Sequence, residues 1–154
     1  MNTSKDKYVF KMVEFLKKFI GQFKTCGYDA GGFKILREKT DNIRTHLFLD
    51  IVEPVYNFYQ EQLKKINRID FEDMINDAHF YLSEIEKQQL VLPYKYIIID
   101  EFQDIARQRF NLTKKLSEIT KAKIVAVGDD WQSIYAFAGS EISLFTRFLE
   151  LRNC

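Results

Sequence analysis

Two stretches of this sequence concentrate the groups able to do chemistry. In "YIIIDEFQD", Tyr96 to Asp104, an apolar run ends abruptly in Asp100 and Glu101, with a third carboxylate at Asp104. "KIVAVGDD", Lys123 to Asp130, repeats the pattern with Gly128 and the pair Asp129 and Asp130. Hard carboxylate oxygens with no thiol or imidazole beside them suit Mg²⁺ rather than zinc. One carboxylate can hold magnesium through its water shell while its neighbour orients or deprotonates an attacking water. Gln103 and Gln132 are neutral and both donate and accept, which fits contact with a phosphate or with that water. Acids that merely solvate the end of a strand look the same, so the "DE" pair alone does not decide.

The continuation "VGDDWQSIYAFAGS", Val127 to Ser140, is not a core-packing pattern. It sets Trp131, Tyr135 and Phe137 in a polar, glycine-bounded segment. Aromatics so placed can stack on nucleic-acid bases. Packing against the helical part of the chain is the competing role, and for Trp131 both stay open.

The elements that must position these groups follow from periodicity. The two apolar runs, near 96–100 and 123–127, read as short strands buried on both faces and therefore parallel. Between them Ile105, Phe110, Leu112, Leu116 and Ile119 keep helical spacing, which makes one βαβ unit with a right-handed crossover. Ligands of open α/β sheets bind at the carboxyl ends of the strands. Asp100, Glu101, Asp104, Asp129 and Asp130 are thus expected around one crevice. A last helix, "SEISLFTRFLEL", is expected to be capped by Ser140, with Ile142, Phe145, Phe148 and Leu149 inward.

Upstream the chain is helical. Val9, Met12, Val13, Leu16, Phe19, Ile20 and Phe23 give an amphipathic helix over 8–23, stopped by Gly27. Residues 27–42 carry three of the six glycines and read as a loop with one short turn of helix. A second helix runs from a cap at Asp41 or Asn42 to Lys65, with a kink or break expected at Pro54. A third opens at Asp70, with Glu72 and Asp73 in its first turn where the helix dipole favours acids. His46 and His79 lie on these helices without a ligand set around them. The fold class is α/β: a helix-rich part, 1–68, followed by a partial α/β domain, 69–154.

Composition bounds the rest. Of 154 residues 46% are hydrophobic and 15% aromatic, enough for a core and too many for disorder. Net charge is +1, which gives no global attraction to nucleic acid. Residues 1–40 are locally basic, with Lys5, Lys7, Lys11, Lys17, Lys18, Lys24, Lys34, Arg37 and Lys39 against Asp6, Glu14, Asp29 and Glu38. That bias fits the solvated face of a helix or a DNA backbone contact. Two cysteines fit a reducing, cytoplasmic setting. No apolar run reaches the roughly 18 residues of a bilayer span, and no signal peptide opens the chain, so no membrane partner is expected.

"IIIDEFQD" followed by "AVGDDWQSIYAFAGS" resembles motifs II and III of the UvrD/Rep-type superfamily 1 DNA helicases. "IDFEDMI", Ile69 to Ile75, resembles the segment that precedes motif II. The tryptophan in "GDDWQSIY" makes the DNA helicase IV branch the most similar. The resemblance implies a RecA-like P-loop NTPase fold for 69–154 and a helical 1B-type insertion for 1–68. It implies Asp100 and Glu101 as the Walker B pair, Asp100 on Mg²⁺ and Glu101 activating water for attack on the γ-phosphate of ATP. Gln132 would sense that phosphate, while Gln103, Asp104 and Asp129 would couple the nucleotide state to the motor. Tyr135, Phe137 and Trp131 would lie along single-stranded DNA or a 3′-tailed duplex, with translocation 3′ to 5′.

Two departures from the family pattern matter. Ala138 stands where the family usually has arginine, and nothing in the sequence matches the phosphate-cradling G-x-x-x-x-G-K-[ST]. The chain is therefore expected to be an internal piece of a helicase, binding neither ATP nor Mg²⁺ productively and inactive by itself. The family's P-loop strand would pair beside 123–127, so that edge is expected to be bare and prone to self-association. A non-catalytic single-strand-DNA-binding or partner-binding module is the alternative. A carboxylate-cluster nuclease built on Asp100, Glu101 and Asp129 is a third.

Overall fold

The structure, a computed structural model, describes residues 3–87, 91–129, 131 and 142–148. Contacts divide the chain into two compact units, Met1–Lys24 with Tyr28–Asp70, and Thr25–Gly27 with Phe71–Cys154.

The first unit is helical. Helix α1, Thr3–Thr25, buries Ile20 and Phe23. It ends at Gly27, whose φ of 80° is the left-handed stop expected of glycine. Helix α2, Gly32–Glu38, is longer than the single turn the sequence led us to expect. Its local signals are weak, but Phe33 is fully buried and lies 4.4 Å from the Phe23 ring and 5.4 Å from Tyr56. Tertiary burial of one aromatic thus stabilises a helix too short to stand by itself. Helix α3, Ile43–Lys65, starts where expected, with the Asn42 side chain accepting from the Arg44 amide at 2.9 Å. It continues through Pro54 instead of breaking there. Leu49, Val52 and Tyr56, buried on both sides of the proline, anchor the same helix to the core. Their combined burial exceeds the roughly 3 kcal/mol that an interior proline costs.

Lys24, at the end of α1, is only 1% exposed. Its ammonium pairs with Asp70, and the Tyr59 hydroxyl donates to the same carboxylate oxygen at 2.9 Å. The Tyr56 and Tyr59 rings flank the cation at 5.9 and 5.0 Å. Asp70 stands just before the next helix, as its expected capping role requires, and its Oδ2 also holds this buried cation.

The second unit holds α4, Phe71–Lys87, then β1, Tyr96–Ile99, a 3₁₀ turn, Phe102–Asp104, and α5, Arg107–Thr120. Strand β2, Lys123–Ala126, and the short α6, Ile142–Thr146, complete it. β1 and β2 pair in parallel with Tyr96 opposite Lys123 and Ile99 opposite Ala126, and α5 is the crossover. The parallel βαβ unit is as expected, but the strands are not buried on both faces. Ile99 and Ala126 pack against a cluster of Phe102, Ile105, Phe110 and Leu144. The opposite face leaves Tyr96 at 63% and Ile98 at 75% exposure, so among the described residues of this unit it is uncovered. An apolar strand composition reports what can be buried, not which neighbour is present to bury it.

Phe145 and Phe148 pack inward as expected, and Leu144 beside them is fully buried; the Ile142 side chain, also expected inward, lies outside the described residues. Ser140 and Leu149 lie outside the described residues. Among those described, the sheet has two strands and nothing pairs with the outer edge of β2. No described helix is long and apolar enough to cross a membrane.

Candidate functional site

The site grows from the end of β1. Asp100 Oδ1 accepts from the Glu101 amide at 2.9 Å, which turns the chain as soon as the strand ends. Glu101 then adopts φ 50° and ψ 44°, the left-handed region that costs a non-glycine residue roughly 1–2 kcal/mol. That local cost is offset by what the turn achieves. The Phe102 amide donates to the Val127 carbonyl at 2.9 Å, and the Val127 amide donates to Ile99 at 2.9 Å. The chain leaving β1 is thereby fastened to the chain leaving β2.

Gln103 completes the fastening. Its side chain is 1% exposed. Nε2 donates to Glu101 Oε2 at 2.6 Å, and Oε1 accepts from the Asp129 amide at 3.0 Å. Both amide atoms thus each hold a partner within the chain. Asp129 Oδ1 in turn accepts from the Trp131 amide at 3.1 Å. Gly128 is needed at this crossing. A Cβ there would overlap the Gln103 side-chain oxygen and stand 3.0 Å from both Phe102 N and Phe145 Cε2.

Asp104 closes the turn through its amide, which donates to the Glu101 carbonyl at 2.9 Å. Its Oδ1 is buried without a hydrogen-bond partner, as is Gln108 Oε1 at the start of α5. Each is an acceptor that water does not reach. No sequence signal marked Gln108 or Gly128: one looks like a polar helix residue, the other like an ordinary strand stop.

The ends of β1 and β2 that carry Asp100, Glu101, Asp104 and Asp129 are joined through Gln103. Among the described residues no group of three or more His, Cys, Asp or Glu side chains could hold a metal ion. Asp130 lies outside those residues. Magnesium does not need such a cage, because it keeps several waters and takes one or two carboxylates together with substrate phosphates. Exposed Asp100, at the end of β1, fits that limited role.

Trp131 is 93% exposed. Its backbone is tied to Asp129 while its indole faces solvent. Gln132, Tyr135, Phe137 and Ala138 lie outside the described residues.

Comparison with known proteins gives the family. Residues 14–152 match the model of the UvrD/REP helicase N-terminal domain. The chain belongs to that family. DNA helicase IV of Escherichia coli K12 is 39% identical over 103 residues, which is 66% of this chain and 15% of that protein. The ATP-dependent DNA helicase srs2 of Schizosaccharomyces pombe is 35% identical over 107 residues, 70% of this chain and 11% of that protein. The ATP-dependent DNA helicase PcrA of Staphylococcus aureus is 34% identical over 103 residues, 64% of this chain and 14% of that protein. The chain therefore spans a small part of the length of the relatives it matches.

Proposed function

We propose that this UvrD/REP-family chain is the Walker B and motif III portion of an ATP-driven motor that moves along single-stranded DNA and opens duplexes, 3′ to 5′. The observation that carries the proposal is the parallel β1–β2 pair with its two acid-bearing ends fastened together by Gln103. In such a motor the ends of adjacent strands must respond together to one nucleotide. Asp100 would hold Mg²⁺ with the phosphates of ATP, and the ion would supply charge neutralisation at the phosphoryl group. Glu101 would take the proton of the attacking water, and Gln132 would report on the γ-phosphate. Gln103, Asp104 and Asp129 would carry that state into the rest of the motor. Exposed Trp131, with Tyr135 and Phe137, would meet the bases of the strand, whose backbone charge makes binding salt-dependent.

Residues 1–68 would correspond to the helical 1B-type insertion and 69–154 to the RecA-like part. The 154 residues alone would not turn over ATP, since they contain no phosphate-cradling loop. DNA-stimulated hydrolysis by the purified chain would overturn that statement. The unpaired edge of β2 makes self-association of the chain an expected side effect.

The test uses Trp131, the only tryptophan. A salt-sensitive change in its fluorescence on adding single-stranded DNA, with none on adding Mg·ATP, is the expected result. No change with DNA at low salt would count against strand contact by this segment. A non-catalytic strand-binding module shares the exposed Trp131 and is separated from the motor by a longer chain's ATPase activity: such a module would bind DNA and never couple it to nucleotide.

A further inference from the structure

Three hydrogen bonds run in series from the Glu101 carboxylate to the backbone of Trp131. Gln103 Nε2 donates to Glu101 Oε2 at 2.6 Å, Gln103 Oε1 accepts from the Asp129 amide at 3.0 Å, and Asp129 Oδ1 accepts from the Trp131 amide at 3.1 Å. We propose that Gln103 is a positioning residue that sets the orientation of the Glu101 carboxylate and passes any change at that carboxylate to Asp129 and Trp131.

The chemistry of the three partners specifies glutamine. An ionised carboxylate only accepts and a backbone amide only donates, so the group between them must do both. The same complementarity fixes which way the amide faces, because the flipped form would set oxygen against oxygen and N–H against N–H. A charge-assisted bond to Glu101 is the stronger of its two links, so the carboxylate governs where the amide sits. Rigidity comes from the surroundings. Gln103 is 1% exposed, and the Gly128 backbone leaves no room for a Cβ beside its oxygen. The Phe102 amide holds Val127, next to that glycine, at 2.9 Å. If the Glu101 carboxylate moves, the amide must follow or lose a bond, and the Asp129 amide loses its acceptor with it.

The meaning of this linkage for ATP turnover rests on the proposed motor function. The linkage itself does not, and it is tested without nucleotide or DNA. Hydrogen exchange of the Asp129 and Trp131 amides is measured by NMR on the whole chain, with the Val127 amide as an internal control for folding. Gln103→Leu should cut Asp129 protection by about tenfold, the order expected for one lost hydrogen bond. Glu101→Ala should lower protection at Asp129 and Trp131 in the wild-type background and do nothing further in Gln103→Leu. Gln103→Glu offers a variant of the same size, keeping an oxygen for Asp129 while losing the donor to Glu101. In that background Glu101→Ala should no longer lower Asp129 protection.

A purely structural Gln103 would give a different pattern: Gln103→Leu would loosen Asp129, yet Glu101→Ala would leave it unchanged in every background. That result, or effects of the two substitutions that simply add, overturns the proposal. Failure of single-stranded DNA to perturb Trp131 would instead count against the motor function while leaving the linkage intact.

Discussion

Among the described residues, the most buried polar side chain of the first unit is Lys24 and that of the second is Gln103, each 1% exposed. Lys24 carries a charge and is matched by the Asp70 charge, the Tyr59 hydroxyl and two tyrosine rings. Gln103 is neutral and shares itself between a carboxylate and a backbone amide. A buried ion pair is costly to break, because the survivor is left as an uncompensated charge. A buried amide stakes only a hydrogen bond on each side. The first arrangement suits a fixed fastening, the second a joint that has to yield.

The comparison can be broken at several points, and the hydrophobic anchors should give the largest effects. Phe102 is 1% exposed and its ring lies 5.1 Å from that of Phe148 and 6.1 Å from that of Phe145. Phe102→Ala should cost about 3–5 kcal/mol in denaturant unfolding, and Phe33→Ala, its fully buried counterpart in the first unit, about the same. Equal losses would show that the units differ in polar design and not in core quality.

Asp70→Ala should cost up to about 3 kcal/mol by removing a carboxylate partner of buried Lys24, less because Asp70 is 20% exposed. An Asp70→Ala protein that melts no lower than Gln103→Leu would erase the contrast between fastening and joint. Gly128→Ala should follow at about 1–3 kcal/mol, since the added methyl must displace the Gln103 oxygen or the Phe102 backbone. Its companion signature is faster exchange at the Asp129 amide. A melt equal to wild type, with unchanged exchange, would mean that the crossing has slack.

The smallest effect should come from Arg37. Its guanidinium pKa is raised above the usual arginine value by side-chain hydrogen bonds to Asp50 and then Glu53. A raised pKa gives a contribution present throughout the lower range and lost only as pH climbs through that already high value. Thermal melts of Arg37→Ala and wild type should therefore differ little, and by the same small amount at about pH 6 and about pH 9. A gap that widens between those pH values would assign this exposed cluster a role like that of the buried Lys24 pair.

Much of the fold was legible because it rests on local rules. The apolar spacing of α1, the Asn42 cap and the alternation of strand, helix and strand around α5 all sit within short windows. What escaped were outcomes of packing. Helix α2 exists because Phe33 has rings to stack on, and α3 passes through Pro54 because buried residues hold it on either side. The candidate site divides in the same way. The acids at the strand ends could be read from residue types, whereas the fate of Gln103 could not, because its partner Asp129 lies 26 residues away.

The sequence by itself determined the family, the parallel strand pair and the acids that end it. Those depend on residue order, and residue order is local information. Only the tertiary structure decided that buried Gln103 ties the strand ends together, because its two partners are brought to it by strand pairing and not by sequence proximity. A neutral amide with one donor face and one acceptor face can bridge a carboxylate to a backbone amide and leave neither of its own polar atoms unpaired.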